Sequence, residues 1–190
     1  MRKNIILCGV GGQGTVLASR LISAAAMARE LPVMSAETIG MAQRGGSVFS
    51  HLRIGGEADC PMIALGEADL ILGFEPGETV RMLPYLKPDG QVVVSDRAVM
   101  PVTAALSGAD YSAEVMLDYL KEKVRNLVIV PTERAMDEVG SAKVLNLILL
   151  GAAVKSGALG FSEEEMRQAV LTRIPQKFHE LNLRALEWAK

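Results

Sequence analysis

Only two cysteines and two histidines occur among 190 residues, aromatic side chains make up 4%, and the formal net charge is -2. Cys8 and Cys60 are far apart and form no C-x-x-C pair, so the chain shows no recognisable ligand set for an iron-sulfur cluster or zinc. Cys8 lies inside an apolar run and reads as inert packing, whereas Cys60 stands alone with no signal for a nucleophile. Basic residues are interspersed with acidic ones, which removes the phosphate-tracking stripe of a nucleic-acid binder. Long apolar stretches are lacking too: Val144 to Val154 is interrupted by Asn146 and is too short to span a bilayer. Met1-Arg2-Lys3 leads into a short strand rather than a secretory leader. The expectation is a cytoplasmic protein with neither nucleic acid nor a membrane as partner.

What the chain does have is a hydrophobic content of 49%, enough for one compact domain over residues 1–190 that buries roughly 70% of its unfolded surface. Asn4 to Cys8 is a short run of the kind buried on both faces of a sheet, and Gly9-Val10-Gly11-Gly12-Gln13-Gly14 follows with G-x-G-x-x-G spacing. Gly9 suits a tight turn off the strand, Gly11 close approach of backbone to a ligand, and Gly14 close helix-to-strand packing. A helix from about Gln13 to Arg29 would point its positive end into the loop, which favours an anion; a purely structural turn is the alternative. Leu31 to Ser35 reads as a second strand ending at Ala36-Glu37. Glu37 stands where a ribose-binding acid is expected, so Gly9, Gly11, Gly14 and Glu37 by themselves fit an NAD-dependent dehydrogenase or a non-catalytic nucleotide-binding protein.

Thr38 to Ser47 argues against the nicotinamide reading. Gly40, Gln43, Arg44, Gly45, Gly46 and Ser47 crowd between two expected strands. Gly45 and Gly46 suit a concave array of N–H groups, and Arg44 offers a planar fork for carboxylate or phosphate. A glycine turn with a solvated or subunit-pairing arginine is the alternative. Val48 to Ile54 then alternates, with Val48, Ser50, Leu52 and Ile54 on one face and Phe49, His51 and Arg53 on the other. Gly55-Gly56 suggests a hairpin whose return limb carries Pro61 and so belongs at an edge. His51 fits a proton shuttle, an anion ligand or a structural donor.

Three motifs together resemble the gamma-type domain of 2-oxoacid:ferredoxin oxidoreductases: Gly9 to Gly14 with Leu17-Ala18-Ser19, Gly40 to Val48 with Ser50-His51 and Arg53, and Gly66-Glu67-Ala68-Asp69 with Phe74-Glu75-Pro76. The resemblance covers nearly the whole chain. Within that family, Leu83 to Gly90, Pro101-Val102-Thr103 and Ile174 to Asn182 most resemble the small beta subunits of the indolepyruvate type; the gamma subunits of pyruvate and 2-oxoglutarate oxidoreductases share the first two motifs. The resemblance implies that a larger alpha subunit carries thiamine diphosphate and the iron-sulfur clusters, that ferredoxin accepts the electrons and that coenzyme A is a co-substrate. This chain would hold no redox group, contribute no catalytic residue and be inactive alone. Its binding candidates are Gly9, Gly11, Gly12, Gln13 and Gly14 from the first motif, and Gln43, Arg44, Gly45, Gly46 and Ser47 from the second. A homodimer of the isolated chain stays open, as do the roles of Glu37, which would orient the Arg44 segment or meet the partner, and of Cys60.

Further along, Ala68 to Phe74 reads as a central strand, and Glu75 after it as a site acid, a helix cap or an interface carboxylate. A helix to about Leu83 and a strand from Gly90 to Ser95 follow, then a loop over Pro101 to Asp110. Ser112 to Arg125 carries Val115, Met116, Tyr119, Leu120 and Val124 at helical spacing, which predicts a core face. Leu127 to Val130 is the next strand, with Thr132 placed to cap a short helix. Ser141 to Ser156 is apolar almost all round, Ser162 and Glu165 have capping-box spacing, and Pro175 is placed to start a last helix. In that helix Phe178, Leu181, Ala185 and Trp188 form a stripe for core or subunit interface. The fold class expected is α/β, a three-layer Rossmann-like domain with a mostly parallel, mixed sheet and a helical C-terminal third.

Overall fold

The computed structural model describes residues 1–37, 46–56, 59–100 and 111–189. In chain order these form β1 (Lys3–Val10), α1 (Thr15–Ala28), β2 (Val33–Glu37), β3 (Ser47–Ile54), β4 (Ala68–Gly73), α2 (Pro76–Met82), β5 (Leu86–Ser95), α3 (Ala113–Lys123), β6 (Asn126–Val130), α4 (Thr132–Val139), α5 (Leu145–Lys155), α6 (Glu163–Arg173) and α7 (His179–Glu187). The strands make one sheet in the order β2-β3-β1-β4-β5-β6. β1, β4, β5 and β6 are parallel, and β3 runs antiparallel to both of its neighbours. The expected mixed, mostly parallel sheet is therefore present, with its irregularity confined to the side of β3.

Strand side chains alternate between faces, and the two faces bury different layers. Ile5, Leu7, Leu52, Ile54, Leu70, Leu72 and Val93 pack with α1, α4, α5, α6 and α7. On the other side, Ile6, Cys8, Ile71, Val92 and Val94 pack with Leu120 and Val124, at and just beyond the end of α3, and with half-buried residues of α2. Both faces of β1 are covered, which is why its run is apolar without alternation. α5 is buried at every position from Leu145 to Ala153 and lies against α1, α4, α7 and β5, so its all-round apolarity is satisfied within this chain. Among the described residues, no helix is long and apolar enough to cross a membrane.

Several local expectations need correction. No return strand follows Gly55-Gly56 among the described residues: both edges of β3 are already bonded, to β1 and to β2. Residues of 59–67 instead cross one face of β3, where Arg53 donates to the Cys60 and Met62 carbonyls at 3.1 and 3.4 Å and Ile63 N donates to His51 Nδ1 at 3.0 Å. In α3, Val115 and Tyr119 are exposed, at 69% and 44%. The inward stripe is Leu117, Leu120 and Val124, with Met116 half-buried; Val115 and Tyr119 lie about 100° round the helix from Met116 and Leu120, on the side turned to solvent. α4 is capped by Asp96, whose Oδ1 accepts from Thr132 N at 2.9 Å, so Thr132 is the first helical residue rather than the cap. Pro175 precedes a short 3-10 turn, Gln176–Phe178, and the last α-helix starts only at His179. The capping box is present, with Ser162 and Glu165 bonded reciprocally at the start of α6. The loop expected over 101–110 lies outside the described residues.

Candidate functional site

The carboxyl ends of parallel strands are where open α/β sheets place their ligands, and the glycine motif lies there, between β1 and α1. Gly9 is still in β1. A Cβ on it would stand 2.6 Å from Gln13 Oε1 and 2.7 Å from Phe74 Cβ, so its task is to leave room for Gln13 rather than to turn the chain. Gln13 folds back: Oε1 accepts from Val10 N at 2.7 Å and Nε2 donates to the Phe74 carbonyl at 3.0 Å. Its amide stitches the loop to the end of β4. Gly11 donates its N–H to the Gly46 carbonyl at 2.9 Å, which ties the first motif to the second and occupies a donor expected to face a ligand. Gly12 is exposed with a φ of 99°, and nothing lies within 4 Å of where its Cβ would be. Gly14 caps α1 at a φ of 85°, and a Cβ on it would meet Asn146 Nδ2 at 2.8 Å. The close packing expected of Gly14 is thus against α5, a helix, and not against a strand.

A cleft of about 290 Å³ opens beside this loop. Gly12, Gln13 and Gly14 form one wall, Arg97 and Val99 beyond β5 contribute another, and Met136, Ala142, Lys143 and Leu145 complete it. Arg97 and Lys143 are exposed, and among the described residues neither makes an ion pair. Two free cations and the positive end of a 14-residue helix with no acid in its first turn suit an anionic group such as a phosphate. Sequence reading missed both cations. Arg97 had one available signal, its place just after a strand at the carboxyl side of the sheet; Lys143 had none, because only the chain path brings the start of α5 to the loop. A larger groove of about 650 Å³ runs along β6 beneath Trp188 and carries none of the glycine motifs.

Of the second motif, Gln43, Arg44 and Gly45 lie outside the described residues. Ser47 Oγ donates to Glu78 Oε2 at 2.6 Å, so this hydroxyl is engaged inside the chain. Glu75 is fully buried and is the cap of α2: Oε2 accepts from Glu78 N at 2.8 Å, Oε1 accepts from Val99 N at 3.3 Å, and the Tyr111 hydroxyl donates to the same carboxylate. Burial pushes the Glu75 carboxyl above its ordinary value despite these donors, and burial likewise pushes the Tyr111 hydroxyl up. Burial raises the Cys8 thiol, which keeps it protonated and unreactive. Cys60 is exposed, its Sγ accepting from Met62 N at 3.4 Å.

His51 is buried mid-strand opposite Ile6, away from the cleft, and burial lowers its pKa. Its role is structural, but as an acceptor through Nδ1 rather than as a donor. Glu37 ends β2, and β3 separates that strand from β1. The parallel β1–β2 neighbourhood on which a ribose contact depends is absent from this sheet. Among the described residues, no cluster of three histidine, cysteine or acidic side chains is placed to hold a metal ion.

Residues 4–190 match the family described as pyruvate ferredoxin/flavodoxin oxidoreductase. The chain belongs to this family. Its pyruvate ferredoxin/flavodoxin oxidoreductase relatives include the indolepyruvate oxidoreductase subunit IorB of Archaeoglobus fulgidus, 34% identical over 188 residues that cover 98% of this chain and 93% of that protein. The common gamma subunit of the pyruvate/ketoisovalerate oxidoreductases of Pyrococcus furiosus is 26% identical over 179 residues, covering 93% and 89%. In fold the chain is similar to the crystal structure of pyruvate oxidoreductase subunit PORC from Thermotoga maritima, with a TM-score of 0.70 at 21% identity over 99% of this chain and 94% of that one. It is also similar, with a TM-score of 0.70 at 19% identity, to 31% of a chain of the 2-oxoglutarate:ferredoxin oxidoreductase of Magnetococcus marinus, a structure with 2-oxoglutarate, coenzyme A and succinyl-CoA bound. Family members are subunits or portions of oxidoreductases, and this chain is an oxidoreductase subunit in the same sense.

Proposed function

We propose that this chain is the small subunit of an indolepyruvate-type 2-oxoacid:ferredoxin oxidoreductase, and that its glycine-loop cleft receives an anionic part of coenzyme A. The observation that carries the reading is the near-full-length likeness to IorB at 34% identity, against 26% for a gamma subunit of the pyruvate type. In the overall reaction an arylpyruvate and coenzyme A yield acyl-CoA and carbon dioxide, with an electron pair passing to ferredoxin. Thiamine diphosphate and iron-sulfur clusters on a larger partner supply the decarboxylation and the electron path. This chain acts as one unit that supplies positioning: Gly12 and the α1 N-terminus face the anion, Arg97 and Lys143 neutralise it, and Arg44 of the second motif adds a fork. Gly9, Gly11, Gln13, Gly14, Gly46 and Ser47 hold that wall in place. A cytoplasmic location goes with this reading.

The test is coexpression with the larger subunit, followed by coenzyme A-dependent reduction of an artificial acceptor with indolepyruvate, phenylpyruvate, pyruvate and 2-oxoglutarate. Turnover is expected with the two arylpyruvates. Turnover confined to pyruvate or 2-oxoglutarate would move the chain to the gamma subunits of those enzymes. Combined Arg97→Ala and Lys143→Ala substitutions are expected to raise KM for coenzyme A by roughly 10–100-fold, as loss of charge-assisted hydrogen bonds does. An unchanged KM removes the cleft from the site.

A further inference from the structure

Phe74 and Glu75 stand between the two walls of the cleft. Gln13 Nε2, from the glycine loop, donates to the Phe74 carbonyl at 3.0 Å. On the next residue, Glu75 Oε1 accepts from Val99 N at 3.3 Å, on the wall that carries Arg97. The same carboxylate accepts from Glu78 N at 2.8 Å and from the Tyr111 hydroxyl, so it joins the stretches on both sides of 101–110 to the first turn of α2. One turn on, Glu78 accepts from Ser47 Oγ at 2.6 Å, beside the Gly46 carbonyl that holds Gly11. A helix cap needs one short side-chain oxygen, and serine or aspartate at the surface supplies it. A fully buried glutamate that spends its second oxygen on a cleft wall does more than cap.

We propose that Glu75 is the positioning residue of the cleft: its ionised carboxylate, by accepting from Val99 N and the Tyr111 hydroxyl, sets the distance between the Arg97–Val99 wall and the glycine loop, and so the affinity for the anion held between them. The inference rests on the proposed anion-binding role of the cleft. All three partners of the carboxylate donate, so uptake of a proton removes an acceptor, and the contact to Val99, the longer of the two backbone bonds, is the one that yields. Burial raises the Glu75 pKa above its ordinary value. The charged and titratable groups that face it are Glu78 and Arg81 on α2, Tyr111 before α3, and Cys8 on β1. Cys8 and Tyr111 are pushed upward and stay protonated throughout, while a Glu78→Gln control separates the second carboxylate.

Coenzyme A is the probe, titrated calorimetrically into the coexpressed complex at several values between about pH 5 and 8. For the unmodified protein the affinity is expected to fall roughly tenfold as Glu75 takes up its proton, the size of one lost hydrogen bond to a charged group. Glu75→Gln, which cannot take up the proton, is expected to bind weakly at every pH with a flat profile, its kinetic loss falling on KM for coenzyme A more than on kcat. A second readout needs no ligand: amide hydrogen exchange at Val99 in the full-length chain is expected to be faster in Glu75→Gln than in the unmodified protein at pH 7, with protection of the β4 amides unchanged. Identical pH profiles and identical Val99 exchange in the two proteins overturn the inference. If the unmodified complex fails to bind coenzyme A at any pH, the anion role of the cleft is wrong, and Val99 exchange alone decides whether Glu75 positions the wall.

Discussion

Gln13 shows what a motif residue does once its surroundings are known. In the linear pattern it is an unspecified position between two glycines, free to face a ligand. In the fold its side chain fills the space that Gly9 leaves and bonds Val10 N and the Phe74 carbonyl. Gln13→Ala would leave both backbone groups without their partner, at a cost of about 1–3 kcal/mol in urea denaturation. Gln13→Glu is expected to cost at least as much, because a carboxylate oxygen would then face the Phe74 carbonyl. A loss below about 0.5 kcal/mol, the level of an ordinary surface substitution, would show that the stitch is not formed. The glycine spacing was legible in the sequence; the division of labour among its residues was not, since Phe74, Gly46 and Asn146 all come from distant parts of the chain.

At the scale of elements, local rules and packing pull in opposite directions at Gly151. It lies inside α5, where alanine is the better helix former by about 1 kcal/mol. A Cβ there would stand only 2.0 Å from the Leu186 carbonyl oxygen of α7, a backbone atom that cannot swing away. Gly151→Ala is therefore expected to lower stability, by about 1–3 kcal/mol after overpacking is set against propensity. An increase in the denaturation midpoint would mean that the two helices are not in backbone contact. Element identity itself was readable wherever a local signal sufficed. The Ser162–Glu165 box starts α6, and the period-2 pattern of β3 puts Leu52 and Ile54 on one core and Phe49 against the other. The pattern misled in α3, because periodicity names a stripe but not how much of it a neighbour covers; Val115 and Tyr119 stay exposed there.

Across the whole molecule, buried and paired titratable groups make stability depend on pH. His51 is a base whose pKa is lowered by burial, so the folded chain resists a proton that the unfolded chain accepts below about pH 6.5. Its contribution is lost as pH falls through that value. Glu165, held at about 2 by Arg29 and the Ser162 bonds, contributes above its ordinary 4.5 and is lost only further down. Glu75 has the opposite sign, its raised pKa favouring the folded state as pH falls. His51→Asn places its amide oxygen where Nδ1 stands, so it keeps an acceptor for Ile63 N but does not titrate. The stability of the unmodified protein relative to this variant is expected to decline between about pH 7 and 5 in thermal or urea unfolding, a comparison in which Glu75 and Glu165 cancel. Parallel curves would mean that His51 is protonated equally in both states.

Composition and spacing were enough for the α/β class, the buried strands, the Ser162–Glu165 capping box and the family resemblance, because each is written in residues adjacent along the chain or one turn apart. Strand order was not. β3 inserts between β1 and β2, which removes the neighbourhood that Glu37 would need for a ribose and leaves no edge for a hairpin limb at Pro61. The two cations of the cleft, Arg97 and Lys143, and the carboxylate that braces it, Glu75, meet only because β5, α5 and α2 all end or begin at the same rim of the sheet. Contacts of that kind depend on how layers stack and which strand lies beside which, and no periodicity along the chain carries that information.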